Sequence, residues 1–311
     1  MIEKNINAKA YNIEELLYNY DANETKEQEQ KKEKKLFLFL EADYFENAQE
    51  EVEEMDINAN TKLLWENSQL WHEHRANGPL IVETSNSSPI FKKFIEKWSE
   101  ENRGVVITTE HTLQELTQHL QSLIFVTEPN NTLTRLRLYE PRKLRGVLDS
   151  MQEPNDLSEL MGCIEEFIWQ ENCGLDEAWL STKNPNPHAP RHNIHDENWF
   201  RFTQEQNEII DEHEEHYFCK KISYKLKSSF KILVTQKEAY IQISKLNQEA
   251  KEQRFLKEDD KEEYIRLRLM FGDFRLDDEV VKIVNDKYSE MGGKLMKIKN
   301  YFNLKKGAVN G

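Results

Sequence analysis

A chain of 311 residues with 10% aromatic content is long enough to bury one large core or two modest ones and too rich in Trp, Tyr and Phe to be disordered throughout. Its formal charge of −15 excludes the positive footprint with which a nucleic-acid binder displaces counterions. No stretch approaches the ~18–20 apolar residues of a membrane span, and residues 1–5 do not open a signal-peptide core. Three cysteines, Cys163, Cys173 and Cys219, form no CxxC pair, which points to a reducing, cytoplasmic setting without a disulfide framework.

In chain order, Tyr11, Ile13, Leu16, Leu17 and Tyr20 recur at helical spacing, and a polar, charged stretch over residues 21–35 reads as an exposed linker. From residue 36 short apolar runs predict strands at 36–41, 79–84, 104–108, 123–127 and 133–139. Helices are predicted between and after them. Ser88 caps one with Pro89 at its first position and Ile90, Phe94, Ile95 and Trp98 on one face. Thr112 and Glu115 form a capping box ahead of Leu113, Leu116 and Leu120. Pro141 opens a third, with Leu144, Val147, Leu148 and Met151 on one side. The run Pro129-Asn130-Asn131-Thr132 is turn chemistry, so the strands around it form a hairpin. In its second strand Leu136 and Leu138 alternate with Arg135, Arg137 and Tyr139, placing two guanidiniums and a ring on the outer face.

Pro185, Pro187 and Pro190 break regular structure and mark a boundary. Beyond it the pattern is helical. Boxes at Thr203/Gln206 and Thr235/Glu238 start two helices, another ends near Gly272, and Val280, Val281, Val284 and Tyr288 mark one stopping at Gly292-Gly293. The expected fold is therefore α+β or α/β: an N-terminal helix and charged linker over 1–35, a mixed-sheet lobe over 36–180, a proline-rich linker over 181–198, and an all-helical lobe over 199–311.

Chemistry-bearing clusters are sparse. His188, His192 and His195 beside Asp196 sit in the proline-rich stretch, and His213, His216 and Cys219 fall three apart on a predicted helix, where they share a stripe. Neither set supplies the four well-spaced ligands of a structural zinc site, so a metal-dependent hydrolase is kept only as an alternative. No GxSxG elbow, GxGxxG loop or Walker loop is present, and no cofactor is expected. One segment stands apart: Arg137-Leu138-Tyr139-Glu140-Pro141-Arg142 ends a strand in a carboxylate and starts a helix on proline. Arg137 and Arg142 both reach for Glu140, which lies at the positive end of the helix dipole. The corner serves the fold, a partner, or both.

The succession Gly78-Pro79-Leu80-Ile81-Val82-Glu83, Trp98, Gly104-Val105-Val106-Ile107, Leu113-Gln114-Glu115-Leu116 with His119-Leu120, and Arg137-Leu138-Tyr139-Glu140-Pro141-Arg142 resembles the type VI secretion effector-chaperone family. That family orders a GPxLVxL-like strand, a WGI-like strand, an LxxLxxHL helix and an RFYDPR-like corner. The likeness runs over residues 36 to about 170, with 199–274 similar to the family's helical tail. The sequence departs from it where Glu140 replaces Asp, where Asn102-Arg103-Gly104 lacks the usual Trp, and in the polar insertion at 21–35. The resemblance implies a non-catalytic cytoplasmic adaptor whose partners are an effector toxin and the VgrG spike protein, with no nucleic acid or membrane, and with Arg137, Tyr139, Glu140, Pro141 and Arg142 as candidate partner-binding residues. A generic helical interaction module is the other non-enzymatic reading. Cargo is expected to dock through an apolar, charge-rimmed groove, with Trp65, Trp71, Trp169, Trp179, Trp199 and Phe200 as the aromatic reservoir.

Overall fold

The computed structural model describes residues 7–14, 16, 34–41, 47–66, 78–172, 177–188, 192, 199–230 and 235–309. The predicted linker at 21–35 lies almost wholly outside them, as do Trp71, Cys173, His195, Asp196 and half of the predicted first helix. Two compact units divide the chain, Met1–Glu214 and Glu215–Gly311. The first carries β1 (Lys9–Ala10), β2 (Lys35–Leu40), α1 (Ala48–Met55), β3 (Thr61–Leu63), β4 (Leu80–Thr84), α2 (Pro89–Lys93, continued by a π-helical turn, Phe94–Trp98), β5 (Gly104–Thr109), α3 (Leu113–Ser122), β6 (Phe125–Thr127), β7 (Leu133–Arg135), α4 (Pro141–Ser150), α5 (Pro154–Met161), β8 (Glu166–Asn172) and β9 (Glu177–Lys183). The division falls within α6 (Gln204–Lys227), after which come α7 (Gln236–Glu252), α8 (Glu258–Phe271), α9 (Asp278–Asn285) and α10 (Met291–Val309). An α/β lobe followed by an all-helical region is the expected fold class. No helix among the described residues is long and apolar enough to cross a membrane.

Seven strands form one sheet in the order β1-β9-β8-β5-β2-β4-β3. The mixed sheet expected from alternating strands and helices is antiparallel at each described pairing. β2 lies between β4 and β5 and runs opposite to both, with Phe39 opposite Ile81 on one side and Val105 on the other. Its side chains split by parity. Phe37 and Phe39 join Ile81, Val105, Ile107, Phe167 and Trp169 on one face. Leu36, Leu38 and Leu40 join Leu80, Val82, Val106 and Ile168 on the other. Both faces are covered, which is why these strands read as unbroken apolar runs instead of alternating ones. Leu113, Leu116 and Leu120 of α3 with Leu144, Val147 and Leu148 of α4 close the first face. Ala48 and Val52 of α1 with Ile90, Phe91, Phe94 and Trp98 close the second. Each such side chain contributes about 1.5–3 kcal/mol on burial.

Local chemistry places the helices as expected. Ser88 accepts from Ile90 N–H ahead of Pro89, and Thr112 with Glu115 and Thr235 with Glu238 form complete capping boxes. Thr203 and Gln206 exchange the same pair of bonds at the start of α6. After Lys93 the helix widens by one residue, Ser99 N–H donating to Phe94 O at 2.9 Å. That widening is a π-turn. The hairpin of β6 and β7 closes with Asn131 at φ 64°, and Thr132 N–H donates to Asn130 Oδ1 at 2.7 Å. Asn tolerates this left-handed conformation better than most residues.

Three further expectations change. The helix expected to run from Val280 to Gly292-Gly293 stops at Asn285. Asp286 accepts from Tyr288 N–H and Ser289 Oγ, a side-chain turn that competes with helix, and the two glycines fall in the first turn of α10. Tyr288 is fully exposed. Regular pairing in β7 ends at Arg135, and Tyr139 points inward, 2% exposed. The proline-rich stretch at 181–198 is flanked on both sides by chain that packs within the first unit. β9 continues to Lys183, Asn184 donates to Gly162 O and Ile164 O, and residues 199–202 lie along β6. Proline density marks where regular hydrogen bonding stops, which is a different place from where packing stops.

Two glycines make opposite demands. A Cβ on Gly104 would stand 2.5 Å from Phe39 O of the neighbouring strand, whereas one on Gly293 meets nothing within 4 Å. Gly104→Ala is expected to cost about 3 kcal/mol by forcing β5 from β2. Gly293→Ala is expected to gain about 0.5–1 kcal/mol through the unfolded chain. Urea denaturation of both variants beside the parent checks the pair; a Gly104→Ala midpoint equal to the parent's would show that the strands yield freely.

Candidate functional site

The corner at residues 137–142 is built by the hairpin and α4. Leu136 N–H donates to Ile124 O, continuing the approach of the two hairpin arms past the last regular pair. Glu140 N–H then turns back to Arg137 O at 3.1 Å, and Leu144 N–H reaches Glu140 O at 2.8 Å to start the helix. Glu140 occupies the cap position in extended conformation, yet its carboxylate does not cap the helix. It turns instead to Arg137, Nη1 to Oε1 at 2.6 Å. Burial pushes the Glu140 carboxyl above the usual carboxylate range, and the positive fields of Arg137, Lys143, Arg142 and Arg135 hold that rise in check.

The five candidate residues therefore divide. Tyr139 and Pro141 are buried, with the Tyr139 ring edge-on to Phe39 at 5.4 Å and 75°. Arg137, Glu140 and Arg142 are half-buried and carry what polar surface the corner offers. Arg135 lies over the buried Trp65 ring at 5.4 Å. The other motif residues also face inward. Gly78 sits against Trp65, where a Cβ would fall 2.9 Å from the ring. His119, 0% exposed, lies 3.0 Å through Nε2 from Leu160 O and beneath Gly162, whose φ of 52° and lack of a Cβ make room for the imidazole.

Below the corner, α4 carries a polar network that sequence reading missed. Lys143 is ion-paired with Glu214, and Arg145 with Glu171. Asp149, 2% exposed, accepts from Ala8 N–H at 3.0 Å through Oδ1; its Oδ2 lies 3.5 Å from Arg145 Nε and 3.4 Å from His213 Nε2. Asn7 Nδ2 donates to Leu148 O and Met151 O, both at 2.7 Å, and so satisfies carbonyls at the end of α4. The network pins residues 7–10 to the sheet edge, where β1 pairs with β9. Its signal in the sequence was Arg145 and Asp149, four apart on one helix. Burial lowers the pKa of His213, opposed first by the Asp149 carboxylate; Arg145 acts with burial, and Glu171 and Glu212 oppose it.

Among the described residues the candidate histidines have separate neighbours. His213 faces Asp149, His216 Nδ1 lies 2.8 Å from Tyr240 Oη, and the Cys219 thiol is buried with its pKa raised by that burial. His188 is exposed, and His192 stacks on Trp199 at 3.6 Å. Among the described residues no three His, Cys, Asp or Glu side chains group as metal ligands. Trp65 and Trp169 are core, while Trp179 and Trp199 are half-buried, Trp199 donating to Ser122 Oγ at 3.1 Å. Phe200 and Phe202 extend the chain of edge-on rings into the core.

Two titrations test the electrostatics. Glu140 has a folded pKa above its unfolded value, so the stability it lends belongs to the protonated form and is lost as pH rises through the carboxylate range. Removing Arg137 leaves the ionised carboxylate less compensated. Arg137→Ala is expected to cost about 1 kcal/mol near pH 7 and less near pH 4, read from denaturation midpoints; an equal cost at both would separate Arg137 from Glu140. For His213 the shift is downward, so the unfolded chain takes up the proton first and stability falls as pH drops through about 6.5. His213→Gln is expected to flatten stability between about pH 7 and 5, and an unchanged slope would place the acid sensitivity elsewhere.

A family model described as "Domain of unknown function (DUF4123)" matches residues 36–156, from β2 through α4 and into the first turn of α5. No curated protein and no solved structure matches the chain.

Proposed function

We propose that this chain is a type VI secretion effector adaptor, a cytoplasmic carrier that binds a toxin effector and delivers it to the VgrG spike without catalysing a reaction. The observation that carries the reading is a coincidence of extent. The ordered motifs from Gly78 to Arg142, on which the resemblance to effector chaperones rests, fall inside the stretch matched by the DUF4123 family model. The arrangement of chemistry-bearing side chains favours binding over turnover. Among the described residues His213 lies against Asp149 and His216 against Tyr240, on separate neighbours.

Within this reading the half-buried guanidiniums of Arg137 and Arg142 are the groups of the corner that a partner meets, because Tyr139 and Pro141 are occupied by the core. Co-expression of the full chain with a toxin encoded beside it and with a VgrG fragment is expected to yield a complex that survives affinity capture and gel filtration. Failure to retain either protein would overturn the adaptor reading. Histidine-dependent turnover of a substrate by the purified chain would replace it with the enzyme.

A further inference from the structure

In the second unit a cavity of about 60 Å³ opens between the end of α7, α8 and α9. Its apolar wall is Phe274, Val280, Val281 and Val284. Its polar lining includes Tyr264, Gln253 and Asn285. Tyr264 is 1% exposed, and its Oη meets no hydrogen-bond partner among the described residues. Arg268, whose charge acts on Tyr264, is itself committed to Glu249 and to Gly272 O. Burial pushes the pKa of the Tyr264 hydroxyl up to about 12, so it keeps its proton and stands ready both to donate and to accept. A hydroxyl left unpaired under cover is costly, and an occupant that pairs with it recovers that cost.

The charges around the cavity select against an ion of either sign. Residues 249–290 hold 13 Asp and Glu against 9 Lys and Arg, which disfavours a carboxylate. An ammonium meets Arg275 in the wall itself. Arg275 is paired with Asp273 at 2.7 Å and Arg268 with Glu249 at 2.8 Å, so these charges are already matched within the unit. An uncharged polar group disturbs neither pair. A carboxamide answers the lining at both ends: its oxygen accepts from the Tyr264 hydroxyl, and its nitrogen donates to the side-chain oxygen of Gln253 or Asn285. Its methylene stem lies against the valines. Pockets for whole small molecules run to ~300–1,000 Å³, so this one is sized for a single side chain. Apolar surface for the flanking chain continues at the mouth, where Val281 is 41% exposed and Leu276, next after Arg275, is 91% exposed.

We propose that this cavity receives the carboxamide side chain, Asn or Gln, of a partner polypeptide, anchored on Tyr264 between α8 and α9. The proposal goes beyond the adaptor reading and stands without it, since it rests on the helical unit alone. Three probes of similar shape test it on the full chain: isobutyramide, isobutyrate and isobutylammonium, each followed through the methyl resonances of Val280, Val281 and Val284. Isobutyramide is expected to shift them saturably, and both ions are expected to bind at least about tenfold more weakly. Tyr264→Phe removes one oxygen. It is expected to weaken isobutyramide about threefold to tenfold while leaving the melting temperature equal or higher, because no hydroxyl then lies unpaired. A random-peptide display library selected on the immobilised full-length chain identifies the source of the amide. Its enriched peptides are expected to carry Asn or Gln beside Val, Ile or Leu, and a synthesised member is expected to lose affinity for Tyr264→Phe by the same factor. Either ion binding as tightly as isobutyramide, no shift with any of the three, or isobutyramide affinity unchanged in Tyr264→Phe would overturn the proposal. So would isobutyramide binding with no peptide enriched, which would make the cavity a site for a free small molecule.

Discussion

The burial of β2 on both faces is the constraint on which the first unit depends. Phe37 and Phe39 fill one layer and Leu36, Leu38 and Leu40 the other, so neither face of the sheet centre is available to solvent. Helices must then cover both sides. α3 and α4 do so on one, α1 and the α2 π-turn on the other. The same constraint explains Gly104, because β5 can sit at hydrogen-bonding distance from β2 only where no Cβ intrudes on Phe39 O. It also accounts for the widened helical turn, within which Phe94 and Trp98 both reach the second layer.

Most residues that make the sequence distinctive serve that packing. Gly78 makes room for Trp65, His119 is seated under Gly162, and Tyr139 braces Phe39. Such positions specify a fold through shape, and they say little about what the outer surface recognises. In the proposed adaptor role, recognition falls to groups such as Arg137 and Arg142, which are half-buried. The polar network on α4 does a different job. Asp149, Arg145, Glu171 and His213 lie within ion-pair distance of one another, where any charge left alone would be costly.

The two units differ in kind as well as in charge. The first is a sheet protein with long-range pairing, whereas the second packs two apolar clusters between helices close in sequence. In the second, Arg268 is held by Glu249 through two nitrogens, at 3.0 and 2.8 Å, next to the Asp273–Arg275 pair. Among the described residues, its surface keeps more large apolar side chains in water than the first: Leu256, Leu276, Tyr288, Met296 and Leu304 are all exposed. The second unit holds 21 Lys and Arg against 15 Asp and Glu, whereas the first holds 21 against 42.

What the sequence by itself determined was whatever local chemistry decides. The caps at Ser88, Thr112, Thr203 and Thr235, the hairpin turn at 129–132 and the apolar strands at 36–41, 79–84 and 104–108 are readable because each depends on a few neighbouring residues. β8 was not legible, since Ile164, Phe167 and Ile168 recur at helical spacing as readily as at strand spacing, and only pairing with β5 and β9 settles the choice. Only tertiary structure decided that Tyr139 turns inward, that Asp149 gathers Ala8, Arg145 and His213, and that His216 and Cys219 find separate neighbours. Those outcomes depend on contacts between residues far apart in the chain, and spacing along a helix fixes a direction without naming what lies there.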